Sequence, residues 1–373
     1  MLTVVTARLP WYVWTSLLSV TCILVGSYWD ISWHMSIGRD SFGTPAHLAI
    51  QMGGIISGVS GAILIFTTTF KANAPLRAAS IRVLGFRGPF GAFLGAWGAA
   101  TMVVSAPFDN WWHNAYGLDV KILSPPHAVL TLGILGVAIA GVINVLAVMN
   151  RATGQQRDRL RWVVLVIGGE IIVLSMTAIL EHTFRSNLHR ADAYVAIALA
   201  IPMLLVGGAS ATNHKWAATL MATFYTAFMA TMVWLFPLFP AEPKLGPVYQ
   251  HITHFIPLEF PILIIAPAIA VDLLRARVWP KWLLAPALGV AFVAVLVAVE
   301  WPFASFLQSQ AARNAFFGTD YFAYFIQPGW YLAEHRFFPG SAGAEGLALA
   351  AGAATVTSLI GLWLADLLRK VRR

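Results

Sequence analysis

Long apolar runs separated by short polar stretches recur along the whole chain of 373 residues. A helix needs about 20 predominantly apolar residues to cross a bilayer, and ten runs meet this requirement. Their centres lie near residues 20, 58, 99, 138, 171, 203, 227, 266, 290 and 356. The pattern therefore predicts an all-α, polytopic transmembrane helix bundle of about ten spans.

Basic residues cluster in alternate connections between these runs and so orient the bundle. One side carries 17 of the 24 lysines and arginines: Arg8, Lys71, Arg77, Arg82, Arg87, Arg151, Arg157, Arg159, Arg161, Lys215, Arg275, Arg277, Lys281, Arg369, Lys370, Arg372 and Arg373. Cytoplasmic loops carry an excess of lysine and arginine. We therefore expect both termini to be cytoplasmic, in a multi-pass protein of the plasma (inner) membrane.

The composition supports a membrane class and narrows the candidate chemistry. Hydrophobic residues make up 58% of the chain and charged residues 11%, whereas a soluble domain carries about 25% charged residues. We interpret the net charge of +8 as a topology signal and expect no nucleic-acid partner. The single cysteine, Cys22, excludes an intrachain disulfide and a thiolate metal site. Any metal must be held by His, Asp, Glu or Met.

The histidines fall almost entirely on the side opposite the basic clusters. Nine of the ten lie there: His34, His47, His113, His127, His182, His189, His251, His254 and His335. Such a bias indicates a role at the extracytoplasmic face.

Two of these histidine-bearing stretches share one pattern, in which an Asp is followed by a His at i+4 and by a second His at the start of the next apolar run. The members are Asp30, His34 and His47 in the first stretch and Asp109, His113 and His127 in the second. Residues at i and i+4 lie on one helix face. Each stretch therefore predicts a helical hairpin with three convergent side chains.

Helix-start signals place the last His of each set. In "TPAH" Thr44 is a candidate N-cap followed by proline, and in "SPPH" Ser124 is the equivalent residue. His47 and His127 then lie in the first helical turn, where the helix dipole disfavours a charged imidazolium. A neutral imidazole is the form that binds metals.

Two histidines and one carboxylate form a ligand set that suits copper or iron, and zinc also accepts it. Three protein ligands leave coordination positions open, as catalysis requires. The alternatives are hydrated histidines at the membrane interface and simple Asp–His hydrogen bonds at helix ends. Recurrence on two hairpins favours the metal site.

The two stretches together resemble the C subunit of the copper membrane monooxygenases, the particulate methane and ammonia monooxygenases. The residues that carry this resemblance are "WH…RD…F.TP.H" at 33–47 and "W.H" with a later "P.H" at 111–127, within residues 10–150. The resemblance implies one copper site at Asp30, His34 and His47 and a second at Asp109, His113 and His127. The family has Asn at the place of Asp109, so the second site here is more anionic.

The expected function follows from this resemblance. It implies copper-dependent oxidation of a small apolar substrate by O₂, either with other monooxygenase-type subunits or in a homo-oligomer. The alternative is a non-catalytic copper or zinc transporter, sensor or metallochaperone. Residues 1–150 would form a four-span metal-site region. Residues 151–373 would add further spans of unrecognised role and an external cap around 303–344.

Other polar residues in the chain are weaker candidates. One group either binds a metal or forms a salt-bridged loop: Glu181, His182, His189 and Asp192. A second group, His251 and His254, either binds a metal or lies at the membrane interface. These two histidines stand at i and i+3 where the eighth span begins. A transporter would need a polar path, for which the sequence offers Glu170, Glu259 and Glu300. The stretch "GGIISGVSG" at 53–61 predicts close helix packing.

Overall fold

The computed structural model describes residues 8–38, 41, 43–71, 77–117, 124–277, 279–330 and 343–373. It is almost entirely helical, with α1 Trp11–Ser36, α2 Pro45–Phe70, α3 Phe90–Tyr116, α4 Pro125–Met149, α5 Gly154–Ala178, α6 Leu180–Thr183, α7 Ala191–Thr212, α8 Ala217–Leu235, α9 Ile265–Arg275, α10 Lys281–Leu307 and α11 Ala344–Leu368. Short 3₁₀ helices cover Arg185–Asn187, Phe236–Leu238 and Gln310–Ala312. Strands β1 Ile81–Val83 and β2 Phe86–Gly88 pair as an antiparallel hairpin.

Within the described residues, nine helices are long and apolar enough to cross a membrane. They are all of the α-helices except α6 and α9, with α8 extended through Leu238. These helices indicate a multi-pass membrane protein, and they confirm the all-α class predicted from the apolar runs.

The chain divides into two compact units. The first comprises Met1–Ser27, Ser41–Ile167 and Leu368–Arg373, and the second comprises Tyr28–Asp40 and Gly168–Leu367. The second set of candidate ligands therefore lies entirely in the first unit. The first set is divided, with Asp30 and His34 in the second unit and His47 in the first.

Glycines bring α2, α3 and α4 into close contact in the first unit. A Cβ on Gly61 of α2 would lie 2.6 Å from the carbonyl oxygen of Ala92 on α3, and a Cβ on Gly98 of α3 would lie 2.8 Å from the carbonyl oxygen of Gly133 on α4. Small residues let helix backbones approach in this way. The close-packing prediction for residues 53–61 is confirmed, and the α3–α4 hairpin that carries Asp109, His113 and His127 is tightly held.

In the second unit, the predicted span near residue 266 is not a continuous helix. Residues 251–264 are non-helical, and α9 supplies only 11 residues, or about 16 Å of helix. Pro257 and Pro261 explain the break because proline removes a backbone donor and disfavours helix at the preceding residue. The described residues thus hold nine spanning helices rather than the ten predicted.

We call residues 255–264 the interrupted segment. Side chains from other helices accept hydrogen bonds from its backbone N–H groups. Four of its N–H groups donate to side-chain oxygens: Ile256 to Ser36 Oγ at 2.7 Å, Leu258 to the Tyr28 hydroxyl at 3.0 Å, Ile262 to the Tyr225 hydroxyl at 3.1 Å and Leu263 to Glu300 Oε2 at 2.8 Å. Non-helical backbone at membrane depth is tolerated only where protein or water satisfies it. These hydroxyls and this carboxylate meet that requirement.

The predicted cap around 303–344 is partly described. The first residues of this cap, up to Leu307, still belong to helix α10, and residues 308–330 are largely non-helical. Phe303, Phe306 and Phe317 pack edge to face or stacked with ring centroids 5.0–6.3 Å apart. Residues 331–342, which include His335, lie outside the described residues.

Candidate metal centre

The second predicted ligand set converges on one carboxylate oxygen. Asp109 and His113 occupy the last turns of α3, and His127 lies in the first turn of α4. Asp109 Oδ1 lies 3.4 Å from His113 Nε2 and 3.6 Å from His127 Nε2. The structure therefore brings together the three side chains that the sequence pattern selected.

The other ring nitrogen of each histidine has its own contact. His113 Nδ1 lies 3.0 Å from the Gly117 carbonyl oxygen, and His127 Nδ1 lies 3.1 Å from Ser124 Oγ. A carbonyl oxygen only accepts, so this hydrogen bond puts a hydrogen on His113 Nδ1, and in the neutral ring Nε2 then carries the lone pair on the side of Asp109. Metal-ligating histidines are commonly held by a bond of this kind, which fixes the tautomer.

The geometry around Asp109 Oδ1 favours a cation. This oxygen is buried and has no hydrogen-bond partner among the residues that the structure describes, and both of its distances to the imidazole nitrogens exceed the usual hydrogen-bond length. Ligands that each lie about 2.0–2.2 Å from a tetrahedral metal are separated from one another by about 3.3–3.6 Å. The two distances from Asp109 Oδ1 fall in that range.

As the side chains stand, no group of three or more His, Cys, Asp or Glu residues in the described part of the chain could hold a metal ion. Side chains of the Asp109 set must therefore shift to bind one. All three are partly exposed, at 24–32% of their side-chain surface, which leaves room for that movement.

A glycine four residues after the histidine is a shared feature that the sequence analysis missed. Gly38 and Gly117 have φ of 90° and 89°, a region that favours glycine, and each carbonyl oxygen lies 3.0 Å from Nδ1 of the histidine four residues earlier. The pattern is therefore Asp-x3-His-x3-Gly in both stretches. The equal spacing was the signal that could have found it.

The first predicted set is described in two parts. In the second unit, His34 Nε2 lies 3.9 Å from Asp30 Oδ2. In the first unit, His47 Nδ1 lies 3.1 Å from the Ser41 carbonyl oxygen, a backbone contact of the same kind as that of His113. A three-residue site at Asp30, His34 and His47 stays a prediction.

The helix starts predicted for the final histidines are confirmed. Thr44 and Ser124 are the N-cap residues of α2 and α4, with extended backbone and proline next in the chain. Neither side chain caps its helix. Thr44 instead donates to the Ser41 carbonyl oxygen at 3.0 Å in the preceding loop. The Ser124 hydroxyl contacts Nδ1 of the His127 ring.

The loop between α5 and α7 shows ion pairs and a structural histidine. His189 is buried, and its Nε2 lies 3.1 Å from the Trp301 carbonyl oxygen and 3.0 Å from Ser305 Oγ. Burial lowers the pKa of His189. Asp192 pairs with Arg190 at 3.1 Å, while Glu181 and His182 are exposed. These contacts favour the salt-bridged loop over a ligand set.

His251 and His254 do not enter a helix, because both lie in the non-helical stretch before Pro257. The prediction that these two histidines enter the eighth spanning helix was therefore wrong. The His254 ring packs edge to face on Tyr321 at 4.8 Å, and burial lowers its pKa. His251 is exposed. The aromatic contact fits the interfacial role.

No family model, curated protein or solved structure matches the chain. The likeness to the monooxygenase C subunit thus rests on the motif residues and their spacing.

Proposed function

We propose that this chain is a membrane metalloprotein that binds copper through Asp109, His113 and His127. The observation that carries the proposal is the position of the buried, unpartnered Asp109 Oδ1 between two imidazole nitrogens. A cation placed there would neutralise the carboxylate and could accept Nε2 of both neutral imidazoles as donors. Imidazole with a carboxylate suits copper, and iron and zinc are the competing occupants.

Each residue has a distinct part in such a site. Asp109 balances the positive charge of the metal, and the two histidines supply neutral nitrogen donors. The Gly117 carbonyl oxygen and the Ser124 hydroxyl keep the rings oriented. A copper ion bound here would supply the redox chemistry that O₂ requires.

We further propose that the reaction is O₂-dependent oxidation of a small apolar substrate, as the resemblance to the monooxygenase C subunit implies. Aromatic side chains interleave with the ligands on α3. Trp112 and Tyr116 lie 4.5 Å apart between ring centroids, and Phe108 stacks on Trp111 at 6.0 Å. This aromatic wall gives an apolar molecule a surface beside Asp109 and His113. Further subunits or a homo-oligomer would complete the enzyme.

Copper-loaded protein in lipid is expected to show electron paramagnetic resonance couplings from two imidazole nitrogens. The same sample should consume O₂ when a short alkane or ammonia is added. His182→Ala is the matched control, since His182 is an exposed histidine outside the Asp109 set, and it should change neither result. Spectra without nitrogen coupling would contradict the metal site.

Nitrogen coupling without O₂ consumption would favour the alternative function, a non-catalytic copper or zinc transporter, sensor or metallochaperone. The partial exposure of the ligands is the observation that supports this alternative. A carrier must release its metal, and exposed ligands exchange more readily than enclosed ones.

We propose that the Asp109 set faces the extracytoplasmic side of the plasma (inner) membrane and that both termini are cytoplasmic. In a Cys22→Ser background, cysteine at exposed Asn114 is expected to react with a membrane-impermeant thiol reagent added to intact cells. Cysteine at exposed Arg157, in the first turn of α5, should react only after lysis. The reverse order of reaction would invert the proposed topology.

A further inference from the structure

Glu300 is a fully buried carboxylate in α10, seven residues before the helix ends at Leu307. Its Oε2 accepts a hydrogen bond from the Leu263 N–H of the interrupted segment at 2.8 Å. Its Oε1 is buried and has no hydrogen-bond partner in the described part of the chain. One oxygen of this carboxylate is therefore satisfied and the other is not.

The groups around Glu300 supply no balancing positive charge among the described residues. Arg185 is engaged with Glu259 at 3.1 Å, and His189 Nε2 contacts the Trp301 carbonyl oxygen and Ser305 Oγ. An isolated buried carboxylate is costly in its charged form. A proton or a cation that binds to Glu300 would neutralise its charge and so relieve the free-energy cost of burying it.

A proton fits this environment better than a metal cation. Sodium and other hard cations need several oxygen ligands, and the oxygen that Glu300 leaves without a hydrogen-bond partner in the described residues is Oε1 alone. A proton needs a single oxygen. Ionisable residues at membrane depth that lack a charged partner are characteristic of proton relays.

A small cavity lies beside the interrupted segment. It is lined by Leu258, Glu259, Phe260 and Ile262 of that segment and by Tyr225, among others. The Tyr225 hydroxyl accepts from the Ile262 N–H, which leaves its own O–H as a donor. Tyr225 thus borders the cavity, and it and Glu300 accept from consecutive N–H groups of the segment.

We propose that Glu300 is an internal proton-binding site, held at the break in the interrupted segment, and that it exchanges its proton with the adjacent cavity through Tyr225. The interrupted segment holds Glu300 Oε2 in place and leaves Oε1 to carry the proton. The site belongs to the second unit and does not depend on metal binding at Asp109.

Infrared difference spectroscopy of the protein in lipid tests this site. The wild-type protein at neutral pH is expected to show the carbonyl stretching band of a protonated carboxylic acid. Glu300→Gln should lose this band, because glutamine keeps the oxygen that accepts from Leu263 but carries no ionisable group. Glu345→Gln, at an exposed position on α11, is the control and should retain it.

Transfer to D₂O tests exchange. The Glu300 band is expected to shift in the wild type, and Tyr225→Phe should slow the shift without removing the band. An unchanged band in Glu300→Gln would overturn the proposal. So would loss of the wild-type band when sodium is added at constant pH, since that outcome would assign a metal cation to the site. A Glu300 band that never shifts in D₂O would identify a sealed structural proton instead.

Discussion

Replacing Asp109 by alanine is expected to lower the copper affinity of the purified protein by more than about 100-fold, because residues that only orient a ligand already contribute roughly 10–100-fold. Asp109 is the anionic member of its set, and its Oδ1 faces both imidazoles. Its removal would leave two neutral donors and no balancing charge. Competition titration against a chelator measures the loss.

The control for this experiment is Asp192→Ala, which removes an exposed carboxylate paired with Arg190 and should leave copper affinity unchanged. Asp109→Asn should cause a smaller loss than Asp109→Ala, since the amide oxygen can still coordinate. It should also raise the reduction potential, because an anionic ligand stabilises the oxidised metal. Equal affinity in wild type and Asp109→Ala would remove Asp109 from the site.

Gly98→Val is expected to destabilise the protein by about 3 kcal/mol or more, at the upper end of the usual cost of overpacking. A Cβ at Gly98 would lie 2.8 Å from both the Gly133 carbonyl oxygen and the Val137 backbone nitrogen. Backbone atoms cannot rotate away, so α3 and α4 must separate. That separation should also weaken copper binding, since α3 carries Asp109 and α4 carries His127.

Thermal melting in detergent and copper titration measure the two effects of Gly98→Val. The matched control is Gly352→Val on α11, where a Cβ would meet no atom within 4 Å. A melting temperature for Gly98→Val equal to that of the control would show that the close approach of α3 and α4 is not needed.

Local features of the candidate centre were predictable from the sequence. Asp109 and His113 share a helix face through their i, i+4 spacing, and proline after Ser124 fixed the start of α4 and hence the position of His127. A hairpin between adjacent helices then brings the three together. The ring orientations were not foreseen, because they depend on the positive φ of Gly117.

Features that depend on residues far apart in the sequence could not be predicted from local patterns. The apolar run near residue 266 satisfied a count of hydrophobic residues, yet Pro257 and Pro261 prevent a helix before Ile265, so that only the 11 residues of α9 are helical. The groups that stabilise the non-helical backbone, such as Ser36 and Tyr28, lie more than 200 residues earlier in the chain. His189 is similar, since its partner Trp301 follows 112 residues later.

The interrupted segment also constrains the order of events during synthesis. Its N–H groups need Tyr28 and Ser36 from α1, Tyr225 from α8 and Glu300 from α10. Exposed backbone is not tolerated in lipid, so we expect the segment to reach its final position only after α10, which carries Glu300, has been translated. Membrane insertion would then not follow the order of the chain, because the later helix α10 would have to be in place before the earlier interrupted segment.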